Sequence, residues 1–291
     1  MTDFAHYIKR VIADTGPAPL AAHGAVDGLA VGGLFAEVQE DDRGLLAPEF
    51  HAAPANAGAA ANIKDGDTIW LFSQLTGPWG ALAPALDARI QVADVQRLEK
   101  NGKSLYRFGA APGSRWFPLY DANALLRQLH ARRADGVRTP LMRTAGAAVG
   151  QALRFVRRLD DAEPLRAHAE YLQSTPYDFV SYRLLDGTAQ AFALVQHLMQ
   201  EGRSVFWDRW SLPRRLAERR ETLNDEALDA FIAHRLRNSG CVYGILSPRY
   251  AEPMSYSFRE RALAEQLGLF VPHAPQAPPR DRTPSTTSQP P

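Results

Sequence analysis

The residue of this chain best placed to take part in a reaction is Glu260. A helix predicted to start at Ser255 turns Glu260 to one side together with three apolar or aromatic residues: Tyr256, Leu263 and Leu267. Other charged residues of that helix are expected to point elsewhere: Arg259, Arg261 and Glu265. Because an unpaired buried charge is costly, a carboxylate on this inward stripe is either paired with a neighbouring donor or kept for catalysis.

The region from residue 176 to residue 271 is predicted to position this helix in an α/β sheet. Strands are expected to begin at Tyr177, Ser204, Cys241 and Leu269, with helices between them, which favours a flavodoxin-like parallel sheet with right-handed crossovers. Ligands of such sheets bind beyond the carboxyl ends of the strands. Three polar segments follow the strands there: Ser181-Tyr182-Arg183, Asp208-Arg209-Trp210 and Ser247-Pro248-Arg249-Tyr250.

Three segments of this region match a known family in order and spacing. They are residues 177–183 with Asp186, residues 205–208 with Leu212-Pro213, and residues 245–250 leading into Glu260. Together they resemble a Toll/interleukin-1 receptor (TIR) domain of the bacterial type. The resemblance implies one of two roles: hydrolysis of NAD to nicotinamide and ADP-ribose products after self-association, in bacterial signalling or defence, or a non-catalytic signalling module that assembles through its faces.

The resemblance makes Glu260 the catalytic residue. The glutamate of the family usually follows a tryptophan by four residues, and Tyr256 holds that position here. Cleavage of the nicotinamide–ribose bond develops positive charge on the sugar, which a nearby carboxylate stabilises. Nicotinamide is already a cationic leaving group and needs no acid, so one carboxylate is enough. NAD is then the substrate, and no cofactor is expected.

The same resemblance suggests substrate-binding roles for the polar segments. Arg183 and Arg209 are candidates for binding the pyrophosphate, or they are solvated surface cations. Tyr182 and Trp210 are candidates for stacking on a ring of the substrate, or they are interface anchors. Ser181 and Asp208 are expected to shape their loops. Tyr256 completes the predicted substrate-binding site.

Composition narrows the class of protein. The 291 residues carry 33 Lys and Arg against 32 Asp and Glu, which removes a whole-molecule attraction to nucleic acid or membranes. The single cysteine, Cys241, and the scattered histidines favour a reducing cytoplasm and make no metal-ligand spacing. No signal peptide or membrane span is predicted.

The N-terminal half, residues 1–140, is predicted to be a separate α+β or small β-barrel domain. Strands are expected at 68–72, 89–95 and 104–108, followed by a helix through Leu125 and Leu129, while the alanine-rich residues 51–61 are expected to form a mobile loop. This half loosely resembles PUA-like barrels, some of which bind nucleic acids. A nucleic-acid reader is therefore a third hypothesis, and its test is a salt-dependent gel shift.

Two more segments complete the predicted organisation. Residues 141–175 are expected to form a connecting helix, with Arg154, Arg157 and Arg158 near the end of its apolar stripe. The proline-rich residues 272–291 are expected to be disordered. With order ending near Val271, the last strand and helix of a complete TIR fold are missing or supplied by the N-terminal half, because an exposed sheet edge needs covering.

Overall fold

The computed structural model describes the chain in several stretches. They are residues 1–11, 22–23, 25–26, 29–30, 35–40, 46–48, 50–56, 58–100, 102–142, 148–211 and 226–274. Two of the predicted features lie outside these described residues: the loop that contains Leu212-Pro213 and residues 275–291 of the proline-rich tail. The tail is predicted to be disordered from residue 272, but Pro272 and His273 belong to the strand Phe270–His273.

The first half of the chain is built mainly from strands. Its described elements, in chain order, are β1 (Asp3–Val11), β2 (Ala22–His23), β3 (Ala25–Val26), β4 (Leu29–Ala30), β5 (Phe35–Glu40), β6 (Leu46–Pro48), β7 (Phe50–Pro54), a 3-10 turn (Ala59–Asn62), β8 (Thr68–Gly77), β9 (Gly80–Ala81), β10 (Ala85–Lys100), β11 (Lys103–Ala110), β12 (Arg115–Trp116), α1 (Asn123–Gln128), β13 (His130–Arg132), β14 (Arg138–Pro140), α2 (Val149–Ala152) and β15 (Arg157–Arg158).

Most of these strands form one curled, mixed sheet. Its spatial order is β15-β1-β8-β10-β11-β7, in which β1 and β8 are parallel and the other neighbours are antiparallel. The long strand β10 pairs with β8 through Gln91 and with β11 from Val92 onward. Its pairing register shifts at Leu86/Ala88 and again at Val92/Asp94. Such irregularities bend a strand, and they let β10 pass from one part of the sheet to the other.

The second half alternates helices and strands. Its described elements are α3 (Glu163–Ser174), β16 (Tyr177–Ser181), α4 (Thr188–Gln200), β17 (Val205–Phe206), α5 (Asp208–Ser211), α6 (Glu226–Arg237), β18 (Ser239–Ile245), α7 (Tyr256–Gln266) and β19 (Phe270–His273). The four strands form a separate, fully parallel sheet in the order β17-β16-β18-β19. Parallel strands are buried on both faces, and all five residues of β16 are buried accordingly.

Local sequence signals explain where the helices of this half begin and end. Gly202 adopts a φ of 72°, a left-handed conformation that follows the end of α4. The hydroxyl of Ser255 accepts a hydrogen bond from the backbone N–H of Phe258 at 3.1 Å and so caps α7. Thr188 instead bonds back to the carbonyl of Leu184, and α4 has no side-chain cap.

The two halves are joined by a shared core and by backbone hydrogen bonds. The N–H of Leu119 donates to the carbonyl of Val205 at 3.0 Å, and the N–H of Val205 donates back at 2.8 Å. Leu75 and Leu82 pack in one apolar cluster with buried residues of α4 and β17. The N-terminal half therefore covers the β17 edge of the parallel sheet, which satisfies backbone groups that would otherwise be exposed.

Most of the predicted elements are confirmed. The expected strands at 68–72, 89–95 and 104–108 lie within β8, β10 and β11, and the helix after them is α1. The four expected strands of the second half are β16, β17, β18 and β19.

The alanine-rich segment 51–61 differs from its prediction as a mobile loop. Its first four residues, His51 to Pro54, pair with β11 together with Phe50 as strand β7, and a 3-10 turn follows. Ala53 and Ala60 are fully buried. Small side chains allow this close packing, and Gly58 permits it with a φ of 62° at a position where a Cβ would lie 2.7 Å from the carbonyl oxygen of Val156.

The segment 141–175 is not one connecting helix. Its described residues form the four-residue helix α2, the edge strand β15 and the helix α3. Arg157 and Arg158 pair with Ala5 and Phe4 of β1 and are exposed. The apolar stripe is real, since Val149, Leu153 and Val156 are buried. Pairing with the open edge of β1 outweighs the local helical pattern.

Candidate functional site

The carboxyl ends of β16 and β18 bring two of the sequence-predicted segments together with Glu260. Ser181 is the last residue of β16, and Tyr250 lies in the segment after β18. Their hydroxyl oxygens are 2.9 Å apart, and both side chains are buried. The hydroxyl of Ser181 also donates to Oε2 of Glu260 at 2.6 Å.

These contacts form a directed chain of hydrogen bonds. A serine hydroxyl has one proton, which Ser181 gives to Glu260, so the shared bond with Tyr250 has the tyrosine as its donor. Burial raises the pKa of Tyr250, which keeps its phenol protonated and able to donate. The carboxylate of Glu260 is therefore held at the end of β16 by a hydroxyl that is itself oriented.

An open cleft with a volume of about 210 Å³ lies between α6 and α7. Its lining residues are Asp229, Ile232, Ala233, Leu236, Tyr256, Arg259, Glu260 and Leu263. Glu260 thus faces the cleft together with Tyr256 and Leu263, as the helical stripe predicted. Leu267, the fourth member of that stripe, is exposed instead.

The predicted orientation of Arg259 on its helix is wrong. It lines the cleft, whereas the helical spacing placed it elsewhere. Its guanidinium pairs with the carboxylate of Asp229 on α6 and lies 4.4 Å from the ring centroid of Tyr256. A long side chain can reach a cleft from the flank of its helix, which a wheel drawn from Cα positions does not show.

A group of charged residues lies beside this site in the segments that follow β16 and β18. Arg183 donates to Oε2 of Glu252 at 2.7 Å, and Arg249 donates to Oε1 at 2.8 Å. The hydrogen bonds from Arg249 and Arg183 lower the pKa of Glu252. Asp186 accepts from the hydroxyl of Ser247 at 2.7 Å and from the backbone N–H of Arg249 at 2.9 Å. Asp186 therefore ties the two segments together.

The remaining predicted substrate-binding residues form a second cluster at the start of α5. The phenol of Tyr182 donates to Oδ1 of Asp208 at 2.6 Å, and Nε of Arg209 lies 3.3 Å from the Tyr182 oxygen. Trp210 donates from its indole to the carbonyl of Phe117 at 3.2 Å. These four residues are buried, and Arg209 is only 1% exposed. This cluster binds α5 to its surroundings. Ser181, Tyr256 and Glu260 belong to the site described above, and Arg183 belongs to the charged group beside it.

Some members of the site were not singled out as site residues from the sequence. Tyr250 and Glu252 are placed by the turn after β18, and Asp229 by the packing of α6 on α7. A sequence signal exists for Tyr250, since it follows Ser247-Pro248-Arg249 at the predicted carboxyl edge. Nothing in the spacing of Asp229 indicates its pairing with Arg259, which depends on how two helices pack.

Within the described residues, no three or more His, Cys, Asp or Glu side chains are grouped to hold a metal ion. In the same part of the chain, no helix combines the length and the apolar character that crossing a bilayer requires. Comparison with family models, with curated proteins and with solved structures finds no match for this chain.

Proposed function

We propose that the second half of the chain hydrolyses the bond between nicotinamide and ribose in NAD, with Glu260 as the catalytic residue. The observation that carries the proposal is the position of Glu260, which lines the cleft between α6 and α7 and also accepts the hydrogen bond from Ser181. A carboxylate oriented by a buried hydroxyl beside an open cleft is arranged to face a substrate.

The sheet topology supports the same location. Counted along the chain, the parallel strands lie in the order 2-1-3-4, which is the order of flavodoxin-like sheets. Together with the sequence resemblance, this order leads us to propose the TIR-like variant of that fold for the second half. In such sheets the ligand crevice opens where the strand order reverses, beyond the carboxyl ends of strands 1 and 3. Here these are β16 and β18, where Ser181 and Tyr250 meet.

The proposed reaction needs one carboxylate and one water molecule. The bond from the ribose C1′ to the nicotinamide nitrogen breaks, and its electron pair leaves with nicotinamide, which becomes neutral. The positive charge that develops on the ribose is stabilised by Glu260. Water then adds to C1′ and loses a proton, so the products are nicotinamide, ADP-ribose and H⁺.

The surrounding residues suggest how the rest of NAD would bind. Arg183 and Arg249 present guanidinium groups beside the site, and such groups match phosphate oxygens. Both arginines are hydrogen-bonded to Glu252. A bound pyrophosphate would therefore displace the Glu252 carboxylate from the two guanidinium groups. We assign the Tyr182, Asp208, Arg209 and Trp210 cluster to shaping α5, since these side chains are buried.

The test compares nicotinamide release by the wild type with release by Glu260→Gln at high protein concentration. Glu265→Gln is the matched control, because Glu265 lies on the same helix but is exposed and pairs with Arg261. We expect Glu260→Gln to lower the rate by about 100-fold or more, and Glu265→Gln to leave it unchanged. Equal rates in all three proteins, or no release by the wild type even under crowding, contradict the proposal.

A second candidate function is the non-catalytic assembly module. Large apolar side chains are exposed on segments at the carboxyl edge of the sheet and on α7: Leu185, Met254 and Phe258. Exposed apolar side chains of this size can bind a second copy of the chain. The module is favoured if Phe258→Glu abolishes self-association and signalling while Glu260→Gln preserves both.

A further inference from the structure

Arg10 and Asp87 form an ion pair in the interior of the N-terminal sheet. Nε of Arg10 donates to Oδ2 of Asp87 at 2.9 Å, and Nη2 donates to Oδ1 at 2.7 Å. The hydroxyl of Ser73 donates to the same carboxylate at 2.5 Å. Arg10 is 2% exposed and Asp87 is fully buried. Burial of two charges carries a large desolvation cost, so such a pair is weak as a source of stability.

The remaining guanidinium nitrogen of Arg10, Nη1, contacts the other half of the chain. Nη1 of Arg10 donates to the backbone carbonyl of Trp210 at 2.5 Å. The guanidinium carbon also lies 3.9 Å from the centroid of the Trp210 ring, within cation–π range. One guanidinium thus hydrogen-bonds a carboxylate of the N-terminal sheet and the backbone carbonyl of Trp210 in α5. It also packs on the Trp210 ring.

Contacts continue from α5 to the end of β16. Asp208 begins α5 and accepts the phenol proton of Tyr182 at 2.6 Å. Tyr182 directly follows Ser181, whose hydroxyl holds Glu260. A displacement of α5 would therefore move the partner of Tyr182, and with it the backbone that carries Ser181.

We propose that Arg10 is a positioning residue: the N-terminal sheet uses its guanidinium fork to fix α5, and through Tyr182 it fixes the end of β16 where Ser181 orients Glu260. The structural part of this statement concerns the order of α5 and stands without catalysis. Its kinetic part rests on the proposed function. The N-terminal half is then a part of the site's framework as well as a cover for the β17 edge.

The experiment replaces the whole pair, with Arg10→Met and Asp87→Leu in one protein, so that no unpartnered charge is left inside. Arg10→Lys is the conservative variant, because an ammonium keeps the charge beside Asp87 but lacks the planar fork that reaches Trp210. Leu126→Ala is the control for general loss of stability. Leu126 is buried in α1, in an apolar cluster that contains neither Trp210 nor Tyr182.

Amide hydrogen exchange under native conditions is the first readout, and it does not depend on any activity. We expect exchange in residues 205–211 and 181–187 to rise about tenfold or more in the double variant and less in Arg10→Lys, with no such local rise in Leu126→Ala. Unchanged exchange in the double variant overturns the proposal. So does an equal rise in Leu126→Ala, because general destabilisation would then explain it.

Nicotinamide release is the second readout. Misplacement of Glu260 should lower kcat of the double variant about tenfold with KM little changed, and Arg10→Lys should lie between it and the wild type. Increased local exchange with an unchanged kcat overturns the link to Glu260. If the wild type releases no nicotinamide, the proposed function fails, while the exchange measurement still decides whether Arg10 orders α5.

Discussion

A buried pair of histidines in the N-terminal sheet makes the stability of this protein sensitive to acid. Nδ1 of His6 lies 2.8 Å from Nε2 of His51, and the His51 ring stacks on Phe108 with centroids 6.1 Å apart. One nitrogen of that contact donates and the other accepts, so the two rings cannot both be protonated, and burial lowers both pKa values enough to keep both rings neutral at neutral pH. A second proton would place two donors face to face in an apolar environment.

The size of the effect follows from the pKa of His6. Burial lowers it from the ordinary 6.5 to about 4, and burial together with the neighbouring His6 lowers the pKa of His51 well below 6.5. The unfolded chain therefore binds protons that the folded chain excludes. Stability contributed by the neutral state is complete above pH 6.5 and is lost as the pH falls toward 4. At about 1.4 kcal/mol for each pH unit, the loss through His6 approaches about 3 kcal/mol and reaches about 2.5 kcal/mol at pH 4.5.

The assay is urea unfolding, followed by circular dichroism at several pH values between 7 and 4.5. The double variant His6→Leu with His51→Leu removes both imidazoles at similar volume and leaves neither ring without its partner. We expect its free energy of unfolding to fall less with acid than that of the wild type over this range. The difference should be at least the roughly 2.5 kcal/mol that His6 contributes, because His51 adds a loss of the same sign.

The control for this experiment is Ile90→Val, which loosens the same apolar cluster without removing an imidazole or the Phe108 ring that stacks on one. It should lower stability by a similar amount at every pH and keep the pH dependence of the wild type. If the double variant and the wild type lose stability in parallel as the pH falls, the reasoning about the buried pair is refuted.

Two predictions concern the stability effects of substitutions at a helix cap and at glycines with positive φ. Ser255→Ala removes the hydroxyl that caps α7 through Phe258, and it should lower the free energy of unfolding by about 1 kcal/mol, measured by urea unfolding; an unchanged stability would show that the cap is dispensable. Gly58→Ala should cost clearly more than Gly66→Ala in the same assay. Both glycines have positive φ, but only at Gly58 would the new Cβ meet a backbone atom, the carbonyl oxygen of Val156 at 2.7 Å. Equal losses would show that strain in φ alone sets the cost.

The strand and helix pattern of the second half was predictable because its signals are local. A fully buried run marks β16, an apolar run marks β18, and a serine marks the start of α7. The spacing of Glu260 and Tyr256 already placed both on one face, and the cleft contains both. Such features depend on residues a few positions apart, which the sequence displays directly.

Other features required distant segments to meet. The strand β15 replaces the end of a predicted helix because β1, more than 150 positions away, offers an open edge. Trp210 is predicted as a stacking residue but packs on Arg10, and an arginine ten residues from the N-terminus carries no signal of that contact. Arg259 likewise lines the cleft because Asp229 of another helix attracts it.

The sequence by itself thus determined the order of the strands in the second half, their parallel sheet and the inward face of the helix that carries Glu260. Hydrophobic periodicity and capping residues are sufficient for these, since they act within a few turns of chain. Only the tertiary structure decided which hydroxyl holds Glu260, which charges neutralise one another and which edge of the sheet is covered. These depend on contacts between residues such as Ser181 and Glu260, 79 positions apart, and on burial that no local pattern encodes.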